Sequence, residues 1–97
     1  MASPISTTQF TEIEGLNILQ PIWVDIYRED DIYRANAPAL ELWSDGLGHT
    51  PDEALEDLKT CIVAACESAG NLNASNAAPY ALAVAQNLKA YVEFAMA

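Results

Sequence analysis

The sequence predicts an α+β domain in which three or four antiparallel strands carry one helix on one face and a second, C-terminal helix follows. Three observations predict it. Apolar residues alternate with period two within 18–28, a second strand-like run returns after the acidic triplet Glu29-Asp30-Asp31, and an amphipathic helix opens at Thr50-Pro51 with its own cap. The chain has 97 residues and no Gly/Ser/Pro-rich linker, so residues 1–97 are expected to form one domain around a single modest core. With 52% hydrophobic residues against four glycines and five prolines, the composition is that of a folded chain and not a disordered one.

Residues 1–15 have no firm period, and Ser6-Thr7-Thr8 suggests a loose arm followed by a short strand or turn. In 18–28, Ile22, Val24 and Ile26 alternate with Trp23, Asp25 and Tyr27, which gives a strand one buried face. Pro21 has no N–H to donate to a ladder and so marks the beginning of that strand or an edge position. Residues 32–37 read as the returning strand of a hairpin that ends near Pro38. A third short strand is expected over 40–44, with Asp45-Gly46-Leu47-Gly48 as the turn that releases the chain into the helix.

The helix start is the best-marked feature of the chain. Thr50 suits the N-cap, Pro51 the first helical position, and Glu53 the far end of a capping box. Ala54, Leu55, Leu58, Cys61, Ile62 and Ala65 then form an apolar stripe that should pack on the sheet, while acids in the first turn meet the positive end of the helix dipole. Gly70 and Asn71 are the stop signal, and 71–78 reads as a loop. For 79–96 helical spacing of Ala81, Ala85, Leu88, Tyr91, Val92 and Ala95 predicts a second helix. The competing reading is a strand within 89–95, where Ala90, Val92 and Phe94 alternate with Tyr91 and Glu93.

The formal charge of −10, from 14 acidic and four basic residues, repels phosphate backbones and favours a basic partner over a nucleic acid. No apolar run reaches the roughly 18 residues of a membrane span, and 1–10 lacks the basic start and apolar centre of a signal peptide, so a soluble cytoplasmic protein is expected. Cys61 and Cys66 are separated by about 140° around one helix, which rules out a bridge between them and makes both small core residues.

The residues at the joins carry a resemblance. The acidic turn Glu29-Asp30-Asp31, then Pro38-Ala39-Leu40, then Gly48-His49-Thr50, then Glu53-Ala54-Leu55 with Leu58 and Ile62 following, resembles the HicB antitoxin family over about residues 22–65. Where family members usually read Pro-x-Leu-Pro-Gly-Cys, this chain has Pro38-Ala39-Leu40-Glu41-Leu42-Trp43. The resemblance implies a degenerate ribonuclease-H-like or double-stranded-RNA-binding β-β-β-α core without catalysis or cofactor. It also implies that a small basic ribonuclease of the HicA type is a possible partner and that the chain self-associates as a dimer or higher homo-oligomer. The operator-binding domain that many HicB proteins append is not implied, because the alanine-rich tail after 79 holds one lysine, Lys89.

If Trp23, Asp25 and Tyr27 point away from the helix, the open face of the sheet is an aromatic patch suited to a partner or to a second copy. Trp23, Asp25, Tyr27, Tyr33, Trp43 and Asp45 are therefore the candidate partner-binding residues; the alternative is that the N-terminal arm or the C-terminal helix covers this face within the monomer. His49 beside Asp45, Asp52 and Glu53 is the one group with the makings of acid–base or metal chemistry. A turn histidine at a helix N-terminus is usually a solvated residue, and no serine or cysteine occupies a motif-defined position. No catalytic, cofactor or metal residue is assigned, and the expected role is a non-catalytic binding protein: an antitoxin, or a stand-alone dimeric scaffold.

Overall fold

The computed structural model describes residues 3–42, 44–70 and 79–94. The expected loop 71–78, the last residues of the segment 79–96 and Trp43 lie outside the described residues. The architecture is α+β. Strands β1 (Ser6–Phe10), β2 (Leu16–Ile18), β3 (Ile22–Glu29), β4 (Ile32–Asn36), β5 (Gly46–Gly48) and β6 (Val92–Phe94) accompany helices α1 (Pro51–Gly70) and α2 (Pro79–Lys89). Four strands form one antiparallel sheet in the order β1-β3-β4-β5, and β2 pairs with β6 in a separate two-stranded ribbon.

The β3–β4 hairpin follows from the alternation. Ile22, Val24 and Ile26 are buried, Pro21 lies just before β3, and Asp30 takes a left-handed backbone (φ 56°) in the acidic turn. Asp tolerates that conformation better than most residues because its short side chain bonds locally. Residues 1–15 are more ordered than expected of an arm. Ser6–Phe10 pairs with β3 in register from Ser6 opposite Ile26 to Phe10 opposite Ile22. Phe10 is buried against the core end of that pair. Ile13 also enters the core, bridged to Leu16.

The third strand is displaced from its expected place. Residues 38–40 form a 3₁₀ turn and not the start of a strand: Pro38 fixes the first φ, Leu40 is fully buried, and Glu41 closes the turn with a left-handed backbone (φ 52°) and an N–H donated to Pro38 O. The strand comes at 46–48, where the sequence suggests a turn. The reason is clearance. A Cβ on Gly46 would stand 2.2 Å from Ala54 O and 2.5 Å from Leu58 N, and one on Gly48 would stand 2.5 Å from Glu53 Cβ. The glycines let β5 run directly under the first turns of α1, pairing Gly46 with Ala35 and Gly48 with Tyr33.

Helix α1 begins at Pro51 as the cap residues predict, and the Glu53 N–H donates to Thr50 Oγ1 at 3.1 Å. Its stripe buries Ala54, Leu58, Ile62, Cys66 and Ala69 against β4, β5 and α2; Leu55, Cys61 and Ala65 are only half-buried at its margin. Replacing Thr50 with Ala removes the acceptor for the Glu53 N–H. It is expected to cost about 1 kcal/mol of stability, measured by urea denaturation.

Helix α2 is shorter than the expected 79–96. It stops at Lys89 with tightened i to i−3 bonds, Ala90 N–H to Asn87 O and Tyr91 N–H to Leu88 O, and the chain then extends into β6. The strand reading of 89–95 is therefore the right one for Val92–Phe94, where β-branched Val92 is buried against the core. Asn17 faces Glu93 across the ribbon, and the Leu19 N–H donates to Tyr91 O at 2.7 Å. Helix α2 packs on α1 and on the 3₁₀ turn, where Asn87 Nδ2 donates to Ala39 O at 2.6 Å. The core is thus an apolar layer of Ile22, Val24, Ala35, Leu40, Ala54, Leu58 and Ile62, extended by Phe10, Ile13, Leu88 and Val92.

Candidate functional site

Because side chains alternate along a strand, the burial of Ile22, Val24, Ile26 and Ala35 sends their neighbours to the other side of the sheet. Register then aligns these neighbours in rows. Asp25 stands between Thr7 and Asn36, and Gln9 beside Trp23; Tyr27 stands beside Arg34, which is followed on β5 by Leu47. Neither helix crosses this face among the described residues, since both lie on the core side. The N-terminal segment extends the sheet by one strand and does not fold over it. Trp23 is 57% exposed and Leu47 54%.

The centre of the face is tied together by Arg34, a residue that the sequence reading did not single out. Its Nη1 donates to Asp45 Oδ2 at 2.7 Å and its Nε to Glu29 Oε1 at 3.1 Å, while the guanidinium lies 4.6 Å from the centroid of the Tyr27 ring. Asn36 Nδ2 donates to the other oxygen of Asp45 at 2.6 Å. The bond to Asp45, with help from Glu29, holds the Arg34 proton more tightly than usual, against the opposing effect of partial burial. Farther along β3, Thr7 Oγ1 donates to Asp25 Oδ1 at 2.9 Å.

Of the six candidate residues, Trp23, Asp25, Tyr27 and Asp45 come together on this face, with Arg34, Asn36, Glu29 and Leu47 among them. Tyr33 does not join them. It sits one residue out of phase, on the same side as Ala35, half-buried against the core, with the Arg28 guanidinium 5.9 Å from its ring centroid. Trp43 lies outside the described residues. The signal that separates Tyr33 from Arg34 is the alternation of β4 itself: small, buried Ala35 fixes the phase, which places 32, 34 and 36 on the open side.

His49 is exposed in the turn before α1, as are Asp52 and Glu53. Among the described residues no group of three or more His, Cys, Asp or Glu side chains is arranged to hold a metal ion. Cys66 is buried and its thiol pKa is pushed up, first by burial and then by the charge of Glu67; Cys61 is half-buried, and both are free thiols. A cleft of about 290 Å³ between α1 and α2 is lined chiefly by apolar groups, among them Leu42, Ala65, Val84 and Leu88, with Ser44 Oγ 3.7 Å from Cys61 Sγ at its rim. No helix of the described residues is long and apolar enough to cross a membrane. No protein-family model, no curated protein and no solved structure matches this chain.

Proposed function

We propose that this chain is a non-catalytic, HicB-like binding protein of the cytoplasm, an antitoxin that neutralises a small basic ribonuclease of the HicA type by covering its RNA-contacting surface. The observation that carries the reading is the open sheet face, where exposed Trp23 and Leu47 flank the carboxylates of Asp25, Glu29 and Asp45, set against the single guanidinium of Arg34. A rigid sheet backed by a core presents aromatic anchors without much entropy to lose. Carboxylates among them steer a cationic protein and disfavour RNA itself. The chain charge of −10 acts in the same direction at longer range.

Co-expression with the small basic product of the neighbouring reading frame tests the reading. The two proteins are expected to co-purify, RNA cleavage by the partner is expected to stop, and the association is expected to weaken as salt rises. If neighbouring basic products are made and folded but none is retained or inhibited, the antitoxin reading fails. The second reading, a stand-alone dimeric scaffold, is favoured by the outer edge of β1, which pairs with β3 on one side only in the sheet order. Light scattering on the isolated chain distinguishes a dimer from a monomer.

A further inference from the structure

We propose that Trp23 and Asp25 form a receptor for an arginine side chain supplied by the basic partner. The proposal rests on the reading that the open face receives a cationic protein, and it names the chemistry of that contact.

Strand β3 carries the same three-residue pattern twice. Tyr27-Arg28-Glu29 and Trp23-Val24-Asp25 each place an aromatic ring and, two residues on, a carboxylate on the open face, about 7 Å apart along the strand. The first copy is filled from within the chain. Arg34 stands directly across from Tyr27 on β4, stacks over its ring at 4.6 Å and donates to Glu29, with Asp45 taking a further N–H. This is how the face holds a guanidinium: a ring below it, and carboxylates in its plane.

The second copy has the ring and the β3 carboxylate but no cation and no counterpart of Asp45. Strand β4 ends at Asn36, across from Asp25, so no β4 residue faces Trp23; Gln9 of β1 is its strand neighbour on the other side. Asp25 takes a neutral hydrogen bond from Thr7. Of the four basic residues of the chain, Arg34 is paired on this face, Lys59 is paired with Glu56 on α1, Arg28 lies on the Tyr33 side of the sheet, and Lys89 ends α2. The cation has to come from another molecule. Trp23 gives the strongest ring face for it, and its exposure leaves the approach open. Arginine is preferred over lysine because a planar guanidinium stacks on the indole and bonds the carboxylate at once, whereas an ammonium on a flexible stem does one or the other.

The test uses the full chain with octa-arginine and octa-lysine peptides as probes, followed by the Trp23 indole N–H and the β3 amides in ¹⁵N-resolved spectra. The arginine peptide is expected to bind roughly two- to five-fold more tightly than the lysine peptide and to shift those signals. Trp23→Ala, at an exposed residue, and Asp25→Asn, at a half-buried one on the same face, are each expected to abolish the preference while general attraction to both peptides persists. Equal affinity for the two peptides overturns the site, as does an arginine preference that survives Trp23→Ala. The two proposals fail separately: capture of the neighbour-encoded protein with no arginine preference removes the receptor and leaves the antitoxin, while an arginine preference at Trp23 with no protein captured removes the antitoxin alone.

Discussion

Gly46→Ala is expected to lower stability by about 3 kcal/mol or more and the melting temperature by roughly 10–20 °C in a chain of this size, as read by thermal denaturation. The glycine is not needed for a special φ. It is needed because the added methyl would meet Ala54 O at 2.2 Å and Leu58 N at 2.5 Å, both main-chain atoms of α1, before it meets the Leu58 Cβ at 2.7 Å. A flexible side chain could swing aside, but a helical backbone cannot. Relief requires α1 to lift from β5, and that opens the apolar layer beneath Ala54 and Leu58. Adding Leu58→Ala to the variant is therefore expected to worsen it. Rescue by that second change would show that the side chain, and not the helix backbone, sets the limit.

Leu40→Ala is expected to cost about 2–5 kcal/mol, measured by urea denaturation with an unchanged m-value. Leu40 is fully buried, yet it is carried by a single 3₁₀ turn between Pro38 and the left-handed Glu41. That turn is braced from both sides, by β3 beneath and by Asn87 Nδ2 donating to Ala39 O. A site held in this way collapses poorly around a cavity, which places the loss toward the upper part of the range. A loss near zero would mean that the turn, and not the leucine, holds this side of the core together.

These two positions also mark where local sequence stops specifying structure. Strand β3 and the start of α1 are legible because their causes are local: period two in 22–28, and a cap, a proline and acids within four residues at 50–53. Gly46-Leu47-Gly48 reads as a turn because glycines usually signal one, whereas here they answer to a helix backbone that passes above them. Leu40-Glu41-Leu42 alternates like a strand, but the proline two residues earlier seeds a tighter turn, which the buried leucine holds in place. Strand β6 is visible as an alternation, but the length of 79–96 and its helical spacing favour a helix, and its partner β2 lies far away along the chain.

The open face shows the same division. The alternation of β3 is enough to bring Trp23, Asp25 and Tyr27 to one side, and Asp45 joins them through its bonds to Arg34 and Asn36. The half-burial of Tyr33 depends on the phase of β4, which Ala35 sets only once it is known to face the core. Arg34 is invisible to composition because one of four cations in an acidic chain reads as a solvated side chain. Its importance lies in the register that sets it across from Tyr27.

The ribbon of β2 and β6 has a kinetic meaning. Its side-chain bond, Asn17 Nδ2 to Glu93 Oε1, spans 76 residues, whereas every strand of the main sheet and all of α1 lie within the first 70. Closing a loop of that length costs about 4 kcal/mol in chain entropy, more than a three-residue ladder returns by itself. The closure is supported by Leu16 and Val92, which are buried in the same apolar layer as Ile13 and Leu88. During synthesis the sheet and α1 can therefore assemble first and wait, leaving the stretch around Leu16 in water until the chain has been made past residue 94.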